Sequence, residues 1–334
     1  EDSESIHPVT LYSQKQWIPH LTSPIISTMN KTFLGIEIGG TKIQVVRGDQ
    51  DGQIKDTKRF QVDRLRGAKG ILEQIREAIL GFQDEGHSFD GVGVGFGGPI
   101  DPRSGTVICS HHIDGWDGFE LGQWLEKMCH CPVTLDNDAN VAALGEAMYG
   151  AGIGRPSLFY LTLGSGVGGG MIVNHSIYHG AHTTESELGH LRLDRQGTIL
   201  EDMCSGWSVD RRVMAASQGA PDSILARLSR ELSHGQARVL KEALEQGCPI
   251  AANLMEETSE ALAFALSHVT HLFHPSCFVI GGGLSLMGAC LIDQVSAKLP
   301  QWVMRALHPV PAIICAQLGE ATVPVGALCL ARGA

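Results

Sequence analysis

The sequence repeats one pattern in its two halves: an apolar strand, a turn rich in glycine and a second strand. In the first half, residues 33–38 form the first apolar run, and residues 43–46 follow after a glycine turn. In the second half, residues 158–163 precede the glycine-rich turn 164–170, and the run 171–173 follows. Apolar runs bounded by glycine are typical of β-hairpins. The repeat therefore predicts a duplicated α/β unit with one hairpin in each half.

Both glycine turns are candidate phosphate-binding elements, one for each end of a polyphosphate. Their backbone N–H groups can form an anion cradle, because glycine lets a phosphate approach without a Cβ in the way. The candidate residues are Gly39, Gly40, Thr41 and Lys42 in the first turn and Gly164, Ser165 and Gly166 in the second. A tight hairpin also favours glycine for purely structural reasons, so that alternative stays open. Lys42 is either an additional cation for the phosphates or a solvated surface lysine.

The stretch 134–140, with the sequence Thr-Leu-Asp-Asn-Asp-Ala-Asn, joins a short predicted strand to a predicted helix. Asn137 is placed to cap the helix, and a strand-to-helix junction lies at the sheet edge where ligands of α/β proteins bind. We predict that Asp138 is a general base acting on a hydroxyl. The alternative is that Asn137 and Asp138 only cap the helix.

The remaining periodicity completes an α/β pattern. Apolar residues at helical spacing predict a helix over 70–82 and a long helix over 250–273. The strand 91–96 runs into Gly97 and Gly98, whose small size leaves room for a ligand. Further elements are expected as helices at 119–128, 141–148 and 323–331 and as strands after the turn 49–52 and at 131–135, 277–280 and 313–316.

The strand 277–280 ends in three glycines, among them Gly281 and Gly282, against which a base or ribose could pack. These glycines could equally serve only to pack the strand against a helix. We predict an N-terminal domain of residues 31–136 joined by the C-terminal helix 320–334, and a C-terminal domain of residues 137–319. Residues 1–30 show no clear periodicity and are expected to form an extension outside both domains.

Composition excludes several classes of protein. The net charge of −11, without a dense basic block, argues against a nucleic-acid partner. No apolar run reaches the roughly 20 residues that a membrane span requires. Nine cysteines without a Cys-x-x-Cys pair favour a reduced, cytoplasmic compartment. Two matches to the dinucleotide fingerprint, at 93–98 and 164–169, lack a following helix, so we predict no nicotinamide cofactor.

Together these segments resemble the ROK family of sugar kinases and related repressors, within the actin-like and hexokinase-like superfamily. The resemblance runs from about residue 33 to residue 331. Its most specific segments are Gly-Ile-Glu-Ile-Gly-Gly-Thr-Lys at 35–42, Leu-Asp-Asn-Asp-Ala-Asn at 135–140, Leu-Gly-Ser-Gly-Val-Gly-Gly-Gly at 163–170 and Glu-Leu-Gly-His at 187–190. It implies an α/β protein with the two-domain actin-like, hexokinase-like (ribonuclease H-like) fold and an interdomain cleft.

The resemblance also implies roles for individual residues. Asp138 corresponds to the catalytic base of the family, and Asn137 to an asparagine that contacts sugar hydroxyls. Glu187, His190 and Glu201 correspond to sugar-binding residues. The sugar-binding loop of the family contains Gly97 and Gly98, and the two hairpins with Gly281 and Gly282 correspond to the phosphate and adenosine elements. ATP and Mg²⁺ are the implied cofactors, and a packed, buried His190 is the structural alternative to a sugar ligand.

The sequence departs from the family at three places. Glu37 stands where the first hairpin usually carries aspartate, so the carboxylate expected to orient Mg²⁺, directly or through water, is about 1.5 Å further from the backbone. The segment 191–201 lacks the cysteines of the family's zinc loop, so we predict no bound zinc and a His190 available to the sugar. Residues 1–30 cannot supply the DNA-binding domain of the repressors.

The sequence thus predicts an ATP-dependent kinase that phosphorylates a hexose hydroxyl. Glucose is the default substrate, and no residue decides between it and mannose, fructose or an N-acetylhexosamine. The rival is a non-catalytic sugar sensor of the same fold, which Glu37 and the missing zinc loop favour. A sugar and ATP are the expected partners, and the resemblance leaves the choice between monomer and homodimer open.

Overall fold

The computed structural model describes residues 31–110, 113–181, 185–230, 232 and 235–333. The extension predicted for residues 1–30 lies outside the described residues. The strands are β1 (Thr32–Ile38), β2 (Lys42–Asp49), β3 (Ile54–Gln61), β4 (Gly91–Phe96), β5 (Ile100–Asp101), β6 (Thr106–Val107), β7 (Val133–Asn137), β8 (Ser157–Leu163), β9 (Val167–Val173), β10 (Ser176–Ile177), β11 (Cys277–Gly281) and β12 (Ala312–Cys315). The helices are α1 (Gly67–Asp84), α2 (Leu121–Cys129), α3 (Asp138–Tyr149), α4 (Leu200–Cys204), α5 (Gly206–Gly219), α6 (Ile224–Ser229), α7 (Leu240–Glu245), α8 (Pro249–Phe273), α9 (Ala289–Trp302) and α10 (Thr322–Ala331).

The first sheet has the strand order β3-β2-β1-β4-β7. β1 pairs antiparallel with β2 and parallel with β4, and β4 pairs parallel with β7. β1 and β4 are almost entirely buried because helices cover the sheet, and a continuous apolar run is typical of such strands. The amphipathic helices α1 and α2 supply the apolar residues that complete this core.

The second sheet repeats this arrangement with the order β10-β9-β8-β11-β12. Again the first strand, β8, pairs antiparallel with the next strand of its hairpin and parallel with β11, which follows later in the chain. Its core includes apolar residues of α8 and α9. The duplicated α/β unit predicted from the two hairpins is therefore confirmed.

Helices α3 and α10 lie between the two sheets and pack directly against each other. Their backbones approach so closely that a Cβ on Gly145 would lie 2.5 Å from the carbonyl oxygen of Thr322, and a Cβ on Gly326 would overlap the carbonyl of Val141. The backbone of α10 comes equally close to β4 at Gly93. The C-terminal helix thus packs on the first sheet, and the assignment of domain boundaries stays a prediction.

The second glycine turn is shorter than the sequence predicted. It spans only residues 164–166, because β9 already begins at Val167. A Cβ on Gly170 would lie 2.8 Å from the carbonyl oxygen of Ala139, and a Cβ on Gly169 would lie 2.6 Å from that of Ser186. These glycines are strand residues that allow other backbone segments to approach, which a local glycine count cannot distinguish from a turn. Within the described residues, no helix combines the length and apolar character needed to span a membrane.

Candidate active site

A cleft of about 350 Å³ brings together most of the predicted site residues. The predicted residues that line it are Gly40, Thr41, Gly97, Gly98, Asn137, Asp138, Gly164, Ser165, Gly166, Glu187, His190 and Glu201. The first hairpin and the second hairpin contribute from the two sheets, and the start of α3 lies among them. Residues as far apart in the chain as Gly40 and Glu201 therefore face one space.

Asp138 is the first residue of α3, directly after β7 ends at Asn137. The side-chain Oδ1 of Asn137 accepts a hydrogen bond from the backbone N–H of Ala139 at 2.9 Å, so Asn137 caps the helix as predicted. Its Nδ2 also donates to the carbonyl oxygen of Gly98 at 3.4 Å. The cap fixes the backbone that carries Asp138, while Asp138 itself lines the cleft.

The electrostatic surroundings raise the pKa of Asp138 to about 7. The main cause is the poor solvation of the carboxylate, and the negative charges of Glu37 and Glu187 add to the rise. The N–H of Ala139 opposes these effects without reversing them. A carboxylate with a pKa near 7 is well matched to accept a proton at neutral pH.

Gly97 and Gly98 form the wall beside Asp138. The backbone N–H of Gly97 donates to the carbonyl oxygen of Ile38 at 2.8 Å, which joins the end of β4 to the end of β1. A Cβ on Gly98 would lie 3.1 Å from the ring of Phe96. Protein atoms thus surround both glycines closely in the direction of a Cβ, and because neither carries a side chain, the space of the cleft beside them stays open.

The two glycine turns are closed by their own backbone hydrogen bonds. The N–H of Gly39 donates to the carbonyl oxygen of Lys42 at 3.0 Å, and the N–H of Gly164 donates to that of Gly166 at 3.0 Å. The carbonyl oxygen of Gly164 also accepts from the N–H of Gly206 at 2.7 Å. These bonds use two of the predicted phosphate donors inside the turns themselves, so the structural role of the glycines is present and phosphate binding stays a prediction.

Glu37 is 8% exposed, and both of its carboxylate oxygens have protein partners. Oε2 accepts from Nε2 of Gln44 at 2.6 Å, and Oε1 lies 3.5 Å from Nζ of Lys42. Burial raises the pKa of Glu37, although Lys42 and Gln44 act in the opposite direction. Lys42 is therefore not simply a solvated lysine, because it forms an ion pair with the carboxylate that was predicted to orient Mg²⁺.

The two residues predicted to bind sugar, Glu187 and His190, both line the cleft; Glu187 precedes the short 3₁₀ turn Leu188–His190, and His190 ends it. His190 is exposed to the cleft, so the alternative of a packed, buried histidine is wrong. Glu201, at the start of α4, accepts a hydrogen bond at Oε2 from the backbone N–H of Val167 at 2.8 Å. Glu201 therefore stabilises the end of the second glycine turn through this hydrogen bond, and it also lines the same cleft.

Gly281 and Gly282 have a clear packing role. A Cβ on Gly281 would overlap the hydroxyl of Tyr160, and a Cβ on Gly282, at φ +80°, would lie 2.5 Å from the carbonyl carbon of Leu163. They pack against β8 and the residue at its end, not against a helix as the sequence alternative supposed. An additional contact with adenosine stays a prediction.

Several lining residues were not predicted from the sequence: Arg64, Thr162, Glu185 and Trp207. Arg64 lies in the 3₁₀ turn before α1, and its Nε donates to the carbonyl oxygen of Gly40 at 3.3 Å. No local pattern marks these positions, because each reaches the cleft only through the packing of distant segments. The described part of the chain contains no group of three or more histidine, cysteine or acidic side chains arranged to hold a metal ion.

Comparison of the chain with known proteins identifies a family. The family model described as "ROK family" matches residues 33–334. A glucokinase from Streptomyces coelicolor is 32% identical over 311 residues, covering 90% of this chain and 97% of the relative. The crystal structure of a ROK family glucokinase from Streptomyces griseus, in complex with glucose and AMPPNP, has a TM-score of 0.78 and 31% identity, covering 91% of this chain and 100% of that chain.

Repressors also match the chain. A xylose repressor from Caldicellulosiruptor bescii is 22% identical over 297 residues, covering 83% of this chain and 73% of the repressor. The matching family thus includes proteins named as kinases and proteins named as regulators.

Proposed function

The chain belongs to the ROK family, and on this premise we propose that it is an ATP-dependent kinase that phosphorylates a hexose hydroxyl, with glucose as the first candidate. The single observation that carries the proposal is the position of Asp138, a carboxylate with a pKa raised to about 7 between two glycine turns and a group of polar side chains. The similarity to a glucokinase that binds glucose and an ATP analogue supports the choice of substrates.

In the proposed reaction Asp138 accepts the proton of a sugar hydroxyl while the hydroxyl oxygen attacks the γ-phosphorus of ATP. The bond between the γ-phosphorus and the β,γ-bridging oxygen breaks, and ADP leaves with that oxygen. Phosphoryl transfer needs positioning and charge neutralisation more than covalent help from the protein. The protein contributes a base, an oriented acceptor and a cleft that limits access of water.

The phosphates would lie between the two hairpins. Because the N–H groups of Gly39 and Gly164 close their own turns, we assign the anion contacts to the backbone around Gly40, Thr41, Ser165 and Gly166. The Arg64 guanidinium borders the same space and adds positive charge beside the first turn. Gly281 and Gly282 are proposed to adjoin the adenosine.

Mg²⁺ bound with ATP would supply charge neutralisation at the phosphates. Glu37, which precedes the first glycine turn, is the carboxylate proposed to orient this Mg²⁺. Because both of its oxygens already contact Lys42 and Gln44, a contact with hydrated Mg²⁺ through water fits this residue better than direct ligation.

The sugar would lie against Gly97 and Gly98. Asn137 keeps one amide hydrogen beyond the bond to Gly98, and Glu187, His190 and Glu201 supply further polar groups. Recognition of hydroxyl groups by paired polar side chains is the means by which a site discriminates strongly among sugars.

The decisive experiment is an ADP-release assay with MgATP across hexoses and N-acetylhexosamines, for the wild type and Asp138→Asn. We expect sugar-dependent release that falls by about 100-fold or more in the variant, since a general base contributes that much, while the sugar still raises the melting temperature of the variant. Asp117→Asn, an exposed aspartate outside the cleft lining, is the matched control and should keep wild-type activity.

A non-catalytic sugar sensor is the second candidate, and the paired state of Glu37 is the observation that favours it. In that case a sugar would raise the melting temperature of the wild type, but no sugar would stimulate ADP release. That result would contradict the kinase proposal.

A further inference from the structure

Four polar side chains form a closed cluster beside the sugar end of the cleft, which we name the acceptor cluster: Asp136, Asn140, His179 and Glu185. Nε2 of His179 lies 3.2 Å from Oδ2 of Asp136, and its Nδ1 lies 2.9 Å from Oε1 of Glu185. Asp136 belongs to the first sheet, whereas His179 follows β10 of the second. The cluster therefore joins the segment of the proposed base to the segment that leads to Glu187 and His190.

Every donor of the cluster is already used. Both nitrogens of His179 face carboxylates. The hydrogen bonds that its N–H groups donate to Asp136 and Glu185 raise the pKa of His179 to about 9, so the imidazole is charged at neutral pH. Nδ2 of Asn140 donates to Oδ1 of Asp136 at 2.9 Å and to Oε1 of Glu185 at 3.1 Å. A flipped Asn140 amide would turn its oxygen towards two carboxylates, so its orientation is determined.

Two acceptors of the cluster are left without a partner among the described residues. They are Oδ1 of Asn140 and Oε2 of Glu185, and both atoms are buried. Asn140 is 4% exposed, and the side chain of Glu185 is 10% exposed. Buried acceptors without donors are costly and are rare in native proteins, so this pair requires a hydrogen-bond donor from outside the cluster.

The space beside the cluster has room for one such donor. A cavity of about 20 Å³ is lined by all four residues of the cluster, and this volume holds a single group the size of a water molecule. Its wall also includes Gly98, Asn137 and Glu187, which line the main cleft. The cavity is thus a small side pocket of the proposed sugar site.

We propose that Asn140 and Glu185 bind one hydroxyl group of the sugar substrate. Oε2 of Glu185 and Oδ1 of Asn140 share its single O–H hydrogen in a three-centre bond, and His179 and Asp136 hold the two acceptors in position. This inference rests on the proposed function and adds two substrate-contacting residues to it. A hydroxyl fits the side pocket, whereas an O-methyl or acetamido group is too large. The substrate therefore carries an unsubstituted hydroxyl at the carbon that faces Glu185.

The test is a calorimetric measurement of sugar binding without nucleotide, with D-glucose and its monodeoxy derivatives as probes. For the wild type we expect one deoxy sugar to bind about 10-fold or more weakly than glucose, because a hydrogen bond to a charged group is lost. In Glu185→Gln, which retains the size of the side chain, the same deoxy sugar should differ from glucose by less than about 3-fold. The O-methyl ether at that carbon should not bind the wild type.

His179→Gln is the second variant. It should weaken glucose binding, because His179 no longer joins Asp136 to Glu185, and it should leave binding of an ATP analogue unchanged. Glu77→Gln changes an exposed residue of α1; this variant is the matched control and should bind every probe like the wild type.

One outcome would overturn this inference alone. If glucose binds, but each deoxy sugar loses affinity relative to glucose by the same factor in Glu185→Gln as in the wild type, the side pocket takes no sugar hydroxyl. If no hexose binds the wild type, the proposed function is overturned together with it.

Discussion

A Cβ atom on Gly97 would lie 3.2 Å from Oδ2 of Asp138, a closer approach than most side-chain carbons make. The same atom would lie 3.3 Å from the carbonyl oxygen of Ile38, so it could not move away freely. Glycine at this position therefore leaves the space in which the proposed base meets its substrate.

We predict that Gly97→Ala lowers kcat/KM for the sugar by about 10- to 100-fold, because a small displacement of a reacting group has this effect. The melting temperature should fall only slightly. Gly219→Ala serves as the control, since a Cβ there meets nothing within 4 Å. Unchanged kinetics in Gly97→Ala would mean that Asp138 is not confined by this contact.

The raised pKa of Asp138 predicts the pH dependence of activity. Because a base must be ionised, kcat/KM should rise with pH through about 7 and then level off. A rate that is already constant from pH 5 upward would contradict the role of Asp138 as the titrating base.

The same pKa predicts an effect on stability. The folded-state pKa of about 7 lies above the ordinary value of 3.8, so this group favours the folded state at low pH, and that contribution is lost as the pH rises through 7. Asp138→Asn removes this poorly solvated charge and the repulsion by Glu37 and Glu187. The melting temperature of Asp138→Asn should therefore exceed that of the wild type at pH 8, and the difference should shrink towards pH 4.

Glu37 contributes to the raised pKa of Asp138 through its like charge. Glu37→Gln should therefore move the midpoint of the acid limb of kcat/KM to lower pH, whatever its effect on the maximal rate. Glu320→Gln is a useful control, because the side chain of Glu320 is 73% exposed and its charge is screened by solvent. An unmoved midpoint in Glu37→Gln would show that the two carboxylates are not coupled.

Glu146, in α3, is fully buried and joins three segments of the chain. Its carboxylate accepts hydrogen bonds from the backbone N–H groups of Ala151 at 2.8 Å, Gln317 at 3.0 Å and Leu318 at 2.9 Å. Glu146→Ala would leave these donors buried without partners. We expect it to lower the free energy of unfolding by about 3 kcal/mol or more in urea titrations, whereas Glu77→Ala on the exposed face of α1 should change it by less than about 0.5 kcal/mol.

Local patterns were sufficient to predict much of this protein. The predicted strand 91–96 coincides with β4, and the predicted helix 250–273 differs from α8 by one residue at its start. The capping role of Asn137 followed from residue type and position alone. These features depend on the period of apolar residues and on short-range hydrogen bonds, which the sequence displays directly.

The extent of the second glycine turn and the purpose of Gly281 could not be read in this way. Glycine has the same local signature whether it forms a turn or admits a neighbouring backbone. Only the packed structure places Ala139 against Gly170 and Tyr160 against Gly281.

The sequence by itself thus determined the main strands and helices, the presence of the two glycine turns and the residue types of the proposed site. Tertiary structure alone decided which side chains meet: that Glu37 pairs with Lys42, that Arg64 borders the first turn, and that His179 bridges Asp136 and Glu185. The reason is physical, since secondary structure follows from periodicity between neighbouring residues. Ion pairs and buried polar clusters instead depend on how separate segments pack, and no local pattern records that packing.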